Sequence, residues 1–284
     1  MNYRIERMKN KTSLWKSAIY VLLALFAVIQ IFPLVYLFLI SLKSNAEIFA
    51  GNALGLPEKF LWKNYAYALT TGNVGQYFFN SVLVTGGTIV FSALLSSMVA
   101  YALVRFNLKK RKLILLAFLL GLMIPLHAVL LPLFVVFAKT SLLNTRWSLI
   151  FSYVGFSLSL NIYIMVGFIQ GIPVEIEESA FIDGYSVYRV FMIIVVPLLL
   201  PALATIAIFT YLLSWNELMF AITFINERAL KTLTVGIMSM VGQYVTTWGQ
   251  VGAGLMISSL PTLVLYLFMS RRIQDTFVSG AIKG

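Results

Sequence analysis

The 284-residue chain has no cysteine and one histidine, and only 11% of its residues are charged. Without cysteine there can be no disulfide and no thiolate metal site, although the absence does not fix the compartment. His127 has no second histidine to share a metal with, and no acid lies in its own apolar run. Acids are scarce, ten against twenty-one lysines and arginines, for a net charge of +11. A soluble domain averages about 25% charged residues. With 60% hydrophobic residues and a mean hydropathy of +0.91, the chain reads as a polytopic membrane protein. Its positive excess then belongs to loops on the cytoplasmic side, not to a nucleic-acid footprint. The phosphate-binding pattern G-x-x-x-x-G-K-[ST] is missing, so ATP is not bound by that route. Neither G-x-S-x-G nor H-E-x-x-H occurs. No catalytic residue, metal site or cofactor is therefore assigned to this chain.

What is present is a set of apolar runs. A membrane-spanning helix needs about 20 mostly apolar residues. Six stretches qualify, near residues 18–40, 78–104, 113–137, 147–169, 190–213 and 251–269. The first is longer than the roughly 7–15 apolar residues of a cleaved signal, so it is expected to stay as a span. An even number of spans puts both termini on one side, and cations choose the side. Fourteen lie on the side of the termini: Arg4, Arg7, Lys9, Lys11, Lys16, Arg105, Lys109, Lys110, Arg111, Lys112, Arg189, Arg271, Arg272 and Lys283. Seven lie opposite: Lys43, Lys59, Lys63, Lys139, Arg146, Arg228 and Lys231. The expectation is an all-α protein of six transmembrane helices with both termini cytoplasmic. Residues 1–76 form the tail, first span and external loop, 77–271 a core of five spans, and 272–284 a cytoplasmic tail.

One polar island interrupts the apolar pattern. Glu175, Glu177, Glu178 and Asp183 crowd the start of residues 175–201. Pro173 suits the first turn of a helix, where its missing N–H is no loss. The acids then sit near the positive end of that helix. Gly184 can take the left-handed conformation that ends a helix, and residues 185–189 can restart one. This predicts a short helix, a glycine turn and a second helix entering the fifth span.

Other residues carry narrower expectations. The second span is rich in small residues, among them Gly86, Gly87, Ser92, Ser96, Ser97 and Ala100. Small residues let helices approach closely in lipid, so this span should face other helices. Pro125 and Pro132 should bend the third span, and Pro197 and Pro201 the fifth. His127 is expected to bond a carbonyl freed by the bend. Glu217, next to Trp215 and Asn216, is the one carboxylate near a span on the external half. Two readings stand: a functional group at membrane depth, or an interfacial acid in contact with water. Trp62 and Tyr65 are equally open as interfacial aromatics.

Several of these stretches resemble one family. Glu178-Ser179-Ala180, then Gly184 and then Ile194, Val196 and Pro197 follow the spacing of the EAA loop of binding-protein-dependent ABC importer permeases. Serine for alanine and valine for leucine are the departures. Trp62-Lys63-Asn64-Tyr65, Asn80-Ser81, Tyr101-Ala102-Leu103 with Arg105-Phe106, Pro125 with Pro132-Leu133, Trp215-Asn216-Glu217, Lys231-Thr232-Leu233 and Trp248-Gly249 are similar to landmarks of sugar-importer permeases. The end, Gly280-Ala281-Ile282-Lys283-Gly284, resembles their G-A-V-K-G terminus. The pattern is that of MalG-like permeases of bacterial carbohydrate ABC importers.

That resemblance implies a type I ABC importer permease fold in the bacterial cytoplasmic membrane and ATP-driven uptake of a sugar, oligosaccharide being the expected class. It implies a second, MalF-like permease, two ATP-binding subunits that hold ATP and Mg, and an extracytoplasmic solute-binding protein. Glu178, Ser179, Ala180, Asp183, Gly184, Ile194 and Pro197 would couple to the ATPase, small residues fitting its groove. Gly280, Ala281, Lys283 and Gly284 would touch it from the tail. Trp215, Asn216 and Glu217 are candidates for the solute path. The alternatives are an importer of a polyol, glycerol phosphate or other polar solute, or an ion-coupled secondary transporter. The last normally needs ionisable or broken-helix sites near the midplane, and these spans hold almost no acids.

Overall fold

The computed structural model describes the backbone of residues 2–242 and 244–281, and the side chains of residues 15–16, 18–242 and 244–268. The described residues form helices and connections with no strand. The main helices are α1 (Asn2–Ser41), α2 (Val74–Arg105), α3 (Arg111–Leu120), α4 (Leu130–Lys139), α5 (Arg146–Gln170), α6 (Glu175–Ile182), α7 (Leu200–Asn216), α8 (Met219–Phe224) and α9 (Trp248–Ala281). Four segments, Ala18–Ser41, Val74–Arg105, Arg146–Gln170 and Trp248–Phe268, are each long and apolar enough to cross a membrane. Two bent pairs, Arg111–Met123 with Leu126–Lys139 and Val187–Leu198 with Leu200–Asn216, raise the number to six if each pair is one span.

Both stretches expected to bend do so, and sharply. The first pair turns by 93° and the second by 75°. Pro125 sits at the break itself, following Ile124 in extended backbone, the conformation a residue before proline prefers. Pro132 lies in the first turn of α4, where a missing N–H costs nothing, so it does not bend the helix. His127 does not bond a freed carbonyl. It is exposed and lies 6.3 Å from the Phe220 ring, tilted by 35°. In the second pair, a widened π turn over Phe191–Val195 ends just before Pro197. A proline ring in a regular helix would crowd the carbonyl four residues back, and a wider turn is one way to relieve that.

The chain divides into two compact units, Met1–Gly72 with Met240–Leu260, and Asn73–Ser239 with Pro261–Gly284. In the first unit, Asn64 donates to the carbonyls of Ser41 (2.9 Å) and Lys43 (3.0 Å). The buried Lys43 donates Nζ to the carbonyls of Asn52, Ala53 and Gly55. Its charge is thus solvated by backbone oxygens, which a buried ammonium requires. Tyr65 shares a hydrogen bond with Ser41, 2.8 Å, while Trp62 stays 59% exposed. Gly249 is where backbones close up: a Cβ there would lie 2.2 Å from the Lys43 carbonyl oxygen and 2.5 Å from Asn64 Nδ2. The W-x-N-Y and Trp-Gly landmarks therefore meet in one packed joint.

The second unit is built on α2 packed against α5. The facing sides are small: a Cβ on Gly87 would come within 3.1 Å of Ile150. Several buried hydroxyls bond carbonyls of their own helix, as Thr88 does to Val84 (2.7 Å), Ser97 to Ala93 (2.6 Å), Ser152 to Ser148 (2.7 Å) and Ser157 to Tyr153 (2.7 Å). Satisfied in this way, they leave a smooth surface for close van der Waals packing. Asn80 near the start of α2 meets Arg146 at the start of α5, and Arg105 at the end of α2 meets the carbonyl of Ile169 at the end of α5. The two helices are parallel. The α3–α4 pair must therefore carry the chain back from the Arg105 end to the Asn80 end. The second helix of the other pair, α7, is antiparallel to α5, since Asn161 bonds Thr210 (3.0 Å) and Tyr153 bonds Glu217 (2.6 Å).

Candidate coupling site

The polar island folds as a short helix, a turn and a restart, close to what the sequence suggests. Helix α6 begins at Glu175, with Val174 as the preceding residue. Pro173 thus lies one position before the cap and not in the first turn. Glu175, Glu177 and Glu178 all fall in that turn, where the unpaired N–H groups of the helix favour negative charge.

The helix ends in a Schellman turn. Gly184 has φ +83°, its N–H bonds the Phe181 carbonyl (3.0 Å), and the Tyr185 N–H reaches back to the Ala180 carbonyl (3.0 Å). This pairing of bonds is the one that a left-handed residue after a helix permits. Nothing lies within 4 Å of where a Gly184 Cβ would be. The requirement is for backbone conformation, not for space. The helix restarts at Val187, after Ser186. Arg189 stacks over the Tyr185 ring at 4.7 Å.

The two faces of α6 differ sharply. Glu175, Glu178, Ser179 and Asp183 are exposed, and Glu177 and Ala180 are buried. Ile182 (87% exposed) and, beyond the turn, Tyr188 (81%) add apolar surface to the outward side. Ala180 therefore packs into its own chain, with Met165, Ile169, Val190 and Phe191. Its small size serves the internal fit, and Ser179 is the small residue turned outward. Ile194 packs on the same core and Pro197 is exposed.

Glu177 is the residue whose role the sequence reading missed. Its Oε1 accepts from Arg105 Nε at 2.7 Å and its Oε2 from the Tyr101 hydroxyl at 2.8 Å. The same guanidinium donates Nη2 to the carbonyls of Ile169 (3.2 Å) and Ile172 (2.8 Å). From sequence, Arg105 is one of the fourteen cations on the side of the termini and part of the Tyr101–Phe106 landmark, with no partner indicated. The available signal was helical periodicity, which puts positions 177 and 180 on one face and 178 and 182 on another.

The remaining candidates lie apart from this cluster. Trp215 is buried, stacked on Tyr211 at 5.4 Å and edge-on to Phe78 at 5.6 Å. Glu217 is 8% exposed. It accepts from the Tyr153 hydroxyl and from the backbone N–H groups of Phe220 (2.9 Å) and Ala221 (3.1 Å), capping α8. Asn216 is exposed and donates to the Leu212 carbonyl, 2.9 Å. Gly280 and Ala281 close α9, in a stretch whose side chains are not described, and Lys283 and Gly284 lie outside the described residues. Among the described residues no group of three or more His, Cys, Asp or Glu could hold a metal.

Comparison with known proteins places this architecture. Residues 92–280 match the family described as "Binding-protein-dependent transport system inner membrane component". The diacetylchitobiose uptake system permease protein NgcG of Streptomyces coelicolor is 33% identical over 264 residues, 92% of this chain and 87% of that one. The trehalose/maltose transport system permease protein MalG of Thermococcus litoralis is 31% identical over 264 residues, 92% of this chain and 94% of that one. A solved bacterial ABC transporter involved in the import of the acidic polysaccharide alginate has a chain of the same fold, with a TM-score of 0.80 at 22% identity, covering 91% of this chain and 96% of that one. The chain belongs to the binding-protein-dependent transport system inner membrane component family: it is an integral-membrane ABC permease subunit, a transport component and not an enzyme.

Proposed function

We propose that this chain is one of two membrane-spanning subunits of an ATP-driven importer of an oligosaccharide in the bacterial cytoplasmic membrane. A second, MalF-like permease completes the path. Two ATPase subunits bind ATP and Mg, and an extracytoplasmic binding protein delivers the sugar. The carrying observation is α6: an exposed, acidic and apolar face on a helix that ends in a turn fixed by Gly184. A helix is stiff along its axis, so a protein pressed on that face moves the spans behind it. Glu178 and Ser179 make the contact, Asp183 flanks it, and Ile194 and Pro197 join the peg to the span beyond. Gly280, Ala281, Lys283 and Gly284 add contacts from the tail.

Six spans with cytoplasmic termini fit this reading. The parallel course of α2 and α5 supports counting the broken α3–α4 pair as one crossing, and the fourteen-to-seven division of cations supports the orientation. Residues 77–271 are the permease core, with 1–76 and 272–284 flanking it. The sugar-related names of the relatives support the substrate class. Among the path candidates, Asn216 is the one still facing outward, because Trp215 and Glu217 are engaged within the chain.

The test is uptake by vesicles holding the complete importer, energised with ATP inside. Labelled oligosaccharide should accumulate, while a labelled polyol or glycerol phosphate should not. Preference for the polyol or glycerol phosphate would replace the substrate class, and uptake driven by an ion gradient without ATP would overturn the mechanism. Reporter fusions near Gly284 should be active only in forms that report the cytoplasm.

A further inference from the structure

We propose that Tyr101, Arg105 and Glu177 form a mechanical joint that carries the movement of α6 into α2 and α5. The proposal rests on the reading of α6 as the helix pressed by the ATPase. Among the described residues, α6 is met from inside through two buried residues, Ala180 and Glu177. Ala180 supplies a sliding van der Waals contact. Glu177 supplies direction, because both its oxygens are engaged by α2: Oε1 by Arg105 Nε and Oε2 by the Tyr101 hydroxyl.

Arg105 extends the connection. Its guanidinium is a rigid planar fork whose donors point along fixed lines. One edge holds Glu177 and another holds the carbonyls of Ile169 and Ile172, where α5 gives way to the turn leading into α6. Tyr101 also packs on Phe191 at 5.1 Å, at the start of the π turn. Shifting α6 along or about its axis must therefore drag α2 and the end of α5, or break several bonds at once. Stability alone gives weak grounds for such a cluster, since well-packed apolar residues often hold a buried site as firmly as an ion pair. A pair with fixed directions fits the work of transmitting displacement. Arg105 and Glu177 are thus positioning residues, acting on the path through the helices they join.

The experiment uses the whole importer with Glu177→Gln, Arg105→Lys and Tyr101→Phe in this chain. Membrane level, ATPase co-purification, ATP hydrolysis and solute uptake are measured for each. Removing one charge of a buried pair shifts the balance between engaged and disengaged joint by on the order of a hundredfold or more. Uptake per ATP hydrolysed is expected to fall by about tenfold or more in Glu177→Gln, while the ATPase still co-purifies and hydrolysis falls much less than uptake. Arg105→Lys keeps the charge but loses the fork, and Tyr101→Phe loses one bond; both should give intermediate ratios. Unchanged uptake per ATP in all three, with the ATPase bound, would overturn the joint and leave the role of α6 intact. Failure of the ATPase to bind even the unaltered chain would overturn the reading of α6 itself. Loss of every variant from the membrane would make the cluster a folding element and also sink the proposal.

Discussion

At the Arg105 end of the α2–α5 pair, neighbours are held by charge; at the Asn80 end, the central group is a neutral amide. Asn80 donates to the carbonyls of Ala229 (2.8 Å) and Lys231 (2.9 Å) and accepts from Arg146 Nη2 (2.8 Å). Next to it, Ser81 accepts from the Leu233 N–H, 2.8 Å. These bonds pin a connecting segment onto the bundle, backed by the aromatic cluster of Phe137, Tyr153, Phe220 and Phe224. At the other end, Arg105 and Tyr101 hold a single short helix whose far face is open. One end is a seam stitched to backbone from several directions. The other is a side-chain grip on one projecting helix, with Arg105 also tied to the carbonyls of Ile169 and Ile172 at the end of α5. Under the proposed coupling role of α6, that difference separates a part that stays closed from a part that is pushed.

The largest effect should come from removing the geometry of the grip without touching its bonds. Gly184→Val puts a β-branched residue at φ +83°, a genuine steric outlier. Uptake by the assembled importer should be abolished while the subunit stays at normal level in the membrane. Normal uptake would reduce this end to an ordinary loop.

Next comes Arg105→Met. It leaves the buried Glu177 without its cation, at a cost of about 3–5 kcal/mol, read as a lower melting temperature of the purified complex in detergent. Asn80→Ala should cost less, about 1–3 kcal/mol, since it strands two neutral carbonyls and a guanidinium that is only half-buried. If Asn80→Ala proved the more damaging, the contrast between the two ends would be reversed.

The smallest effect belongs to the exposed side of α6. Glu178→Lys should weaken ATPase co-purification modestly, and added salt should narrow its difference from the unaltered chain, because exposed charges are screened. The Arg105–Glu177 contact is mostly buried, its two side chains 14% and 2% exposed, and should respond much less to the same salt. A salt-independent defect in Glu178→Lys would mean that Glu178 is covered in the assembly.

The sequence carried some of this plainly. The apolar stretches were legible because long apolar runs leave few alternatives in lipid: the four unbroken candidate spans lie within a few residues of expectation, while the helices α1 and α9 run well beyond them. The Gly184 turn was legible because one residue type tolerates its backbone. Breaks were not: Pro125 and Pro132 look alike in sequence, and only the register of α4 decides that one sits at a break and the other in a harmless first turn. Glu177 and Glu178 are neighbours of one type, and which points inward depends on where α6 starts. Pro173 suggested a start slightly too early. Glu217 could be read only as a group at membrane depth or an acid in contact with water, because its partners, Tyr153 and the α8 N–H groups, arise from packing that periodicity does not specify.

The Arg105–Glu177 bond joins residues 72 positions apart. At roughly 5–20 residues per second, a ribosome takes roughly 4–14 s to cover that distance. Through that interval Glu177 has not yet been made, and α3, α4 and α5 must all be synthesised first. The place of Arg105 at the last residue of α2, beside the run Lys109 to Lys112, lets it wait in water among other cations. The bond is therefore a timestamp: it can close only once α3 and α4 have carried the chain to the Asn80 end and α5 has brought it back, so its formation reports that this part of the bundle has been assembled.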